Sequence, residues 1–167
     1  TVDVIDTTPP EITLTGDPRR PPVEPGIPGV VHVLNPYCYR CPFGQTYPQC
    51  NLQCAEHVAE VIEYETPETI AAFILEPIVG AGGVIIPPDG YLKRVKEICE
   101  QNNILLIADE VMTGFGRSGR WFGVEHWEVV PDMMTMAKGL TSAYVPLGGV
   151  AISNKIADVL EKEMLYC

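Results

Sequence analysis

The chain has 167 residues, of which 46% are hydrophobic, enough for one domain with a sizeable core and too many for a disordered chain. Its 22 acidic residues outnumber its 11 basic residues, which gives a net charge of −11. This charge argues against a nucleic-acid backbone or an anionic membrane as a partner, and no apolar run is long enough to span a membrane.

Proline dominates the first part of the chain, where ten of the 16 prolines precede residue 51. Proline is excluded from helix interiors because it lacks an N–H and clashes with the preceding turn. We therefore predict a Pro/Cys-rich extended segment with turns over residues 1–50. Short edge strands are expected around Val2, Val4, Ile12 and Leu14, where apolar residues alternate.

Four cysteines follow the spacing C-x2-C-x8-C-x3-C, namely Cys38, Cys41, Cys50 and Cys54. A Cys-rich metal-binding module is one interpretation, although the eight-residue spacer is short for a zinc site. Free thiols and one or two disulfides are the alternatives, and reduced thiols are the default for a chain without a secretory leader. We therefore predict no metal ligands and a cytoplasmic location.

From residue 51 onward, helical patterns alternate with short apolar runs. Asn51 is a candidate N-cap for a helix that extends to about Tyr64. A second helix is predicted from about Pro88 to Gln101, and a last one over 154–163. Apolar runs predict four strands, of which the first two are expected to be buried. These runs cover residues 70–75, 104–108, 133–137 and 148–153. Such alternation with short connections indicates an α/β fold with a mostly parallel sheet.

Charged residues follow three of the predicted strands, and they are Glu76, Asp109 and Lys138. Open α/β sheets bind ligands beyond the carboxyl ends of their strands. Asp109 and Lys138 could simply form an ion pair there. Alternatively, a lysine with small neighbours can attack an aldehyde, and a carboxylate after an apolar strand can keep a pyridine nitrogen protonated. That pair of groups is what pyridoxal phosphate requires of a protein.

Several longer motifs resemble those of the class III aminotransferases, the ω-aminotransferases among the fold-type-I pyridoxal-phosphate enzymes. The matching motifs are LEPIVGAGG at 75–83, LIADEVMTGFGRSG at 106–119, AKG at 137–139 and YVPLGG at 144–149. Both the order and the spacing of these motifs agree with the family. The resemblance implies an enzyme that moves an amino group from an amine or ω-amino acid to a 2-oxo acid, and a homodimer at full length.

The resemblance also implies roles for individual residues. Lys138 would carry pyridoxal phosphate as the internal aldimine and move a proton between the substrate Cα and the cofactor C4′. Asp109 would bind the pyridinium nitrogen, Val111 would pack against one face of the ring, and Glu76 would lie near the cofactor. Met112 stands where some members place a glutamine on the ring hydroxyl, and a thioether cannot donate that hydrogen bond.

One position bears on the substrate that the resemblance implies. Ala81 stands where family members specific for 2-oxoglutarate tend to have a glutamate, so the sequence leans toward pyruvate as acceptor. Glutamate-1-semialdehyde aminomutase is an alternative within the family, because it shares the motif up to Phe115. It departs from the GRSG sequence that this chain keeps at 116–119.

The resemblance covers residues 16–167, whereas the enzymes of the family are more than twice as long as this chain. We therefore expect a fragment in which 51–167 form part of the pyridoxal-phosphate-binding large domain, a three-layer sandwich. The phosphate-binding loop and the small domain of the family lie outside the chain. A truncated fragment without catalytic activity is the alternative to an active enzyme.

Overall fold

A four-stranded sheet forms the centre of the computed structural model, which describes residues 13–16 and 20–162. The strands lie side by side in chain order as β1 (Ala72–Leu75), β2 (Leu105–Asp109), β3 (Met133–Met136) and β4 (Gly149–Ile152). The first three strands pair in parallel, and β4 runs antiparallel to β3. The predicted α/β fold with a mostly parallel sheet is therefore confirmed.

Three helices accompany the sheet, namely α1 (Gln53–Glu65), α2 (Tyr91–Gln101) and α3 (Asn154–Lys162). Helix α2 begins three residues later than predicted because Gly90, its N-cap, has a left-handed backbone with φ +88°. The predicted end of α3 at residue 163 lies outside the described residues. No helix in the described ranges combines the length and the apolar character needed to cross a membrane.

The assignment of Asn51 as the N-cap of α1 is wrong. Leu52 occupies that position, with φ +57°, and no side chain caps the helix. A series of turns leads directly into α1, in which the N–H of Gln53 donates to the carbonyl of Cys50 at 3.0 Å. Because this turn already satisfies the N–H of the first helical residue, the helix forms without the side-chain cap that its sequence suggested.

The hydrophobic core lies between one face of the sheet and the two helices α1 and α2. In β2, Leu106 and Ala108 are buried in this core, whereas Leu105 and Ile107 on the opposite face are half-buried. The helices contribute their buried faces at the predicted spacing. These core residues are Ala55, Val58, Ile62, Tyr91, Leu92, Val95, Ile98 and Cys99. Burial of each large apolar side chain contributes about 1.5–3 kcal/mol, so this layer supplies most of the stability of the sheet.

The segment before α1 consists mainly of turns and extended chain in its described part. Two short 3-10 helices interrupt it, at Pro21–Val23 and Cys38–Arg40. The expected strands around Val2, Val4 and Ile12 fall outside the described residues. Leu14 lies in helical backbone, so the strand expected there is wrong.

Asp132 connects the start of β3 to both neighbouring strands. Its Oδ2 accepts hydrogen bonds from the N–H of Leu106 and from Nζ of Lys96, both at 2.9 Å. Its carbonyl accepts the N–H of Ser153 at 2.9 Å. Burial alone would raise the pKa of Asp132, but the hydrogen bonds from Leu106 and Lys96 hold it below its ordinary value. The ionised carboxylate therefore stabilises the folded state.

The contribution of Asp132 should depend on pH. A depressed pKa stabilises the fold above the pKa of the unfolded state, roughly 4, and this stabilisation disappears as the pH falls through the folded-state pKa. We expect Asp132→Asn to lower the free energy of unfolding at pH 7 by about 1–3 kcal/mol, and the difference from the wild type to shrink toward pH 3. Urea unfolding across this pH range measures the effect.

Glu128→Gln is the matched control for Asp132→Asn, because Glu128 is an exposed carboxylate paired with Lys93 at 2.8 Å. Solvent screens that pair, so this substitution should leave the stability unchanged. A stability difference for Asp132→Asn that stays constant from pH 7 to pH 3 would contradict the role assigned to its charge.

Candidate active site

Three charged residues meet at the edge of the sheet where β1, β2 and β3 end, which we call the carboxyl edge. Glu76 directly follows β1, Asp109 is the last residue of β2, and Lys138 comes two residues after β3. The parallel register pairs Asp109 with Thr135 of β3. The structure thus places Glu76, Asp109 and Lys138 at one edge, where the sequence pattern predicts a ligand site.

Asp109 provides a buried carboxylate at the carboxyl edge. Asp109 is only 2% exposed, and its Oδ1 accepts a hydrogen bond from the N–H of Val111 at 3.0 Å. Thr135 lies on the same face of the sheet, because paired residues on adjacent strands point in the same direction. The hydroxyl of Thr135 is buried and has no hydrogen-bond partner among the described residues. A buried polar group of this kind suits a site that a ligand completes.

Lys138 provides an accessible primary amine beside Met112. Its Nζ donates to Sδ of Met112 at 2.9 Å. The residue is exposed, and its backbone is left-handed, with φ +39°. An ion pair between Lys138 and Asp109, the alternative interpretation of these residues, is not among the ion pairs found within residues 13–16 and 20–162.

The loop after β1 lies against Met112. Glu76 is 5% exposed, and its Oε2 accepts the N–H of Gly80 at 2.9 Å. A Cβ added at Gly80 would lie 3.1 Å from Cγ of Met112 and 3.2 Å from Oε2 of Glu76. Ala81 follows on the exposed side of the loop. Gly80 thus connects Glu76 with Met112, which in turn contacts Lys138.

Glu110 is a structural residue of the site to which sequence reasoning assigned no role. It is fully buried, at 0% exposure. Its carboxylate accepts the N–H groups of Gly123 and Val124, both at 2.8 Å, and the hydroxyl of Thr113. Glu110 thus fastens both ends of the Gly-rich loop 113–123. Its position directly after a buried strand was the signal that could have revealed it, because a charge there needs partners.

The four clustered cysteines line one crevice beside the start of α1. Cys38, Cys41, Cys50 and Cys54 are all free thiols. Burial raises the pKa of Cys54 to about 11, and burial with the neighbouring Cys50 and Cys41 raises that of Cys38. Cys38 and Cys54 therefore stay protonated at neutral pH. In the part of the chain that the structure describes, no three His, Cys, Asp or Glu residues are arranged to hold a metal ion.

The chain is similar to known proteins of one family. The family model described as aminotransferase class-III matches residues 12–164. The putrescine–pyruvate aminotransferase of Pseudomonas aeruginosa is 46% identical over 136 residues, which are 81% of this chain and 30% of that protein. The diaminobutyrate–2-oxoglutarate transaminase of Halomonas elongata is 44% identical over 134 residues, or 78% of this chain and 29% of that protein.

Solved structures agree with the sequence comparison. A thermostable (S)-enantioselective omega-transaminase from Thermomicrobium roseum superposes with a TM-score of 0.87 at 46% identity. The match covers 93% of this chain and 35% of that one. The chain thus spans about a third of the length of the relatives that it matches.

The role of Glu110 can be tested by removing its charge. Glu110→Gln keeps the size of the side chain, but its amide nitrogen would face an N–H that now contacts a carboxylate oxygen. We expect the free energy of unfolding to fall by about 2–4 kcal/mol, measured by urea unfolding at pH 7. The control is Glu125→Gln, since Glu125 is an exposed residue that accepts the N–H of Phe122 at 3.2 Å. That change should cost less than about 0.5 kcal/mol, and equal effects of the two variants would refute the role of Glu110.

Proposed function

Because the chain belongs to the class-III aminotransferase family, we propose that it forms part of a pyridoxal-phosphate-dependent aminotransferase. Residues 51–167 would be part of the cofactor-binding large domain. The enzyme would move an amino group from an amine or ω-amino acid to a 2-oxo acid. The placement of Lys138 and Asp109 at one edge of the sheet is the observation that carries this proposal.

The residues at the carboxyl edge fit pyridoxal phosphate, the cofactor of class-III aminotransferases. Asp109 offers a buried negative charge for a ring nitrogen, and Lys138 offers an amine for an aldehyde. The orphan hydroxyl of Thr135 adds a buried polar group on the same face as Asp109. A carboxylate, an amine and a hydroxyl are the kinds of group that a charged, hydroxylated pyridine ring with an aldehyde needs.

Lys138 and Asp109 would divide the chemistry between them. Pyridoxal phosphate, when bound, supplies an aldehyde that reacts with amines and a ring that withdraws electrons from the attached carbon. The amine of Lys138 would bind the cofactor covalently and later hold the proton that leaves the substrate carbon. The carboxylate of Asp109 would keep the ring nitrogen protonated, because an opposite charge favours the charged form.

Val111, Met112 and Glu76 would have supporting roles. The N–H of Val111 fixes one carboxylate oxygen of Asp109, and its side chain would pack against the ring. The thioether of Met112 accepts a hydrogen bond from the amine of Lys138 and so would hold that amine at the carboxyl edge before the cofactor binds. Glu76 would act indirectly, because its hydrogen bond to Gly80 shapes the loop that contacts Met112.

We propose that pyruvate is the amino acceptor. The exposed loop of residues 80–83 carries Ala81, whose methyl group offers no charge for a second substrate carboxylate or for an arginine that would bind one. The Pseudomonas relative is a putrescine–pyruvate enzyme, whereas the Halomonas relative uses 2-oxoglutarate, so both acceptors occur among similar proteins. The amino donor would be an amine or ω-amino acid.

At full length the protein would be a homodimer that acts in the cytoplasm on small molecules. Exposed apolar side chains near the carboxyl edge support an interface, among them Trp121 at 71% and Tyr144 at 91% exposure. The free thiols of the cysteine crevice fit a reducing compartment.

The covalent role of Lys138 gives the first test of this function. Adding pyridoxal phosphate to the protein at its natural length should produce a visible absorption band, and borohydride should then fix the cofactor on Lys138, as peptide mass spectrometry would show. Lys138→Ala should abolish both signals. Asp109→Asn should keep the covalent link but reduce turnover by roughly a hundredfold or more, because the ring loses its charged partner.

Lys155→Ala is the matched control for Lys138→Ala, since Lys155 is another exposed lysine and lies at the start of α3. It should leave the visible band unchanged. A folded protein that forms no band would favour a catalytically inactive member of the family. A band that survives Lys138→Ala would overturn the covalent role of Lys138.

The choice of acceptor can be tested from the amino acid that each acceptor becomes. L-Alanine, which forms from pyruvate, should bleach the visible band at least roughly tenfold faster than L-glutamate, which forms from 2-oxoglutarate, because the loop lacks a group for the second carboxylate. Stopped-flow absorbance measures both rates. Equal rates, or faster bleaching by L-glutamate, would overturn pyruvate as the acceptor and leave the family assignment intact.

A further inference from the structure

The turn that carries Lys138 packs tightly against the Gly-rich loop. A Cβ added at Gly139 would lie 2.8 Å from Cβ of Phe115 and 3.1 Å from its Cδ2. Distances this short leave no room for a side chain at position 139. The side chain of Phe115 therefore lies directly against the backbone next to Lys138.

The backbone of Lys138 itself adopts a conformation that needs support. Its φ of +39° lies in the left-handed region, which residues with a Cβ adopt rarely. Such conformations persist where the surrounding structure holds them, and they concentrate at functional sites. The residue after Lys138 is the one that Phe115 contacts, so Phe115 is placed to hold this turn.

Phe115 is in turn held by the rest of its loop. Its N–H donates to the carbonyl of Trp121 at 2.7 Å, and its ring meets the ring of Phe122 edge-on, with centroids 5.6 Å apart. Glu110 fastens Thr113 and Gly123 on either side. A path of contacts through this loop thus leads from the buried carboxylate of Glu110 to the backbone next to Lys138.

We propose that Phe115 is a positioning residue, which packs on Gly139 and thereby keeps the amine of Lys138 beside Met112 at the carboxyl edge. This proposal rests on the covalent role of Lys138 in the proposed function. Phe115 acts through the lysine, and its contribution is to place Nζ where it can meet an aldehyde. Small displacements of a reacting group are enough to lower rates by large factors.

Two measurements on the full-length protein test this role. Competitive acetylation with acetic anhydride, followed by peptide mass spectrometry, reports the accessibility and reactivity of every lysine without the cofactor. Borohydride trapping with pyridoxal phosphate reports how much cofactor is fixed on Lys138. Lys96 serves as an internal reference for folding, because its amine is held by Asp132 at 2.9 Å and would become reactive if the domain unfolded.

Gly139→Ala is the main variant, since its new methyl group must displace Phe115 or the Lys138 turn. Gly149→Ala is the matched control, because a Cβ there meets only Leu140 at 3.7 Å and Met136 at 3.9 Å, which are ordinary contacts. We expect Gly139→Ala to lower trapping on Lys138 by at least roughly tenfold, with Lys96 still protected. Gly149→Ala should behave as the wild type in both measurements.

Acetylation should show the same displacement directly. In the wild type, Lys138 should react on the order of threefold more slowly than the exposed Lys155, because Met112 holds its amine. In Gly139→Ala the two lysines should react at similar rates. Unchanged trapping and an unchanged acetylation ratio in Gly139→Ala would overturn the positioning role.

If Lys96 becomes reactive in Gly139→Ala, that variant has unfolded, and two Phe115 variants then test the positioning role. Phe115→Leu retains a branched side chain against Gly139 and should keep most of the trapping, whereas Phe115→Ala removes the ring contact and should lose it while Lys96 stays protected. Equal trapping in these two variants would overturn the proposal. A wild-type protein that traps no cofactor on Lys138 would instead defeat the proposed function, and the acetylation ratios would still separate the two conclusions.

Discussion

The parallel register of β1, β2 and β3 is the constraint on which the candidate site depends. Parallel strands all end at the same edge, so residues that are far apart in the chain arrive there together. Asp109 pairs with Thr135 across β2 and β3, and Lys138 follows three residues later. Asp132 secures this register from the other end, because its carboxylate binds the N–H of Leu106 and the amine of Lys96.

Two adjacent acidic residues at the end of β2 have different structural environments. The carboxylate of Glu110 accepts three hydrogen bonds, so its charge stabilises the fold. The donors are Thr113, Gly123 and Val124. Asp109 is also buried, and it ends the strand on the face where the hydroxyl of Thr135 has no partner within residues 13–16 and 20–162. Since buried charges need compensation, the three hydrogen bonds to Glu110 give it a structural role, whereas the role proposed for Asp109 stays a prediction.

The sequence was sufficient for the elements whose apolar residues recur in runs or at helical spacing. It also predicted which strand ends carry charged groups, and the structure places Glu76, Asp109 and Lys138 at one edge, although their roles stay predictions. The starts of helices were less predictable. Helix α1 follows directly from hydrogen-bonded turns, and Asn51 is not its N-cap.

Contacts between distant segments could not be predicted at all. No local pattern connects Phe115 with Gly139, since a glycine after a lysine has many explanations until the aromatic side chain is seen against it. The sequence also could not predict that the hydroxyl of Thr135 lacks a partner among the described residues, because threonine is common in strands. The strand register, which pairs Thr135 with Asp109, is what places this threonine at the candidate site.

The reversal of direction at β4 has a consequence for how such a site can diversify. Because β4 runs back from the carboxyl edge, the connection from Thr141 to Gly148 lies at that edge, outside the sheet. Much of this connection is exposed, so its side chains carry little of the core. New side chains or insertions can accumulate there at small thermodynamic cost, so this connection can vary while the strands beside it stay unchanged.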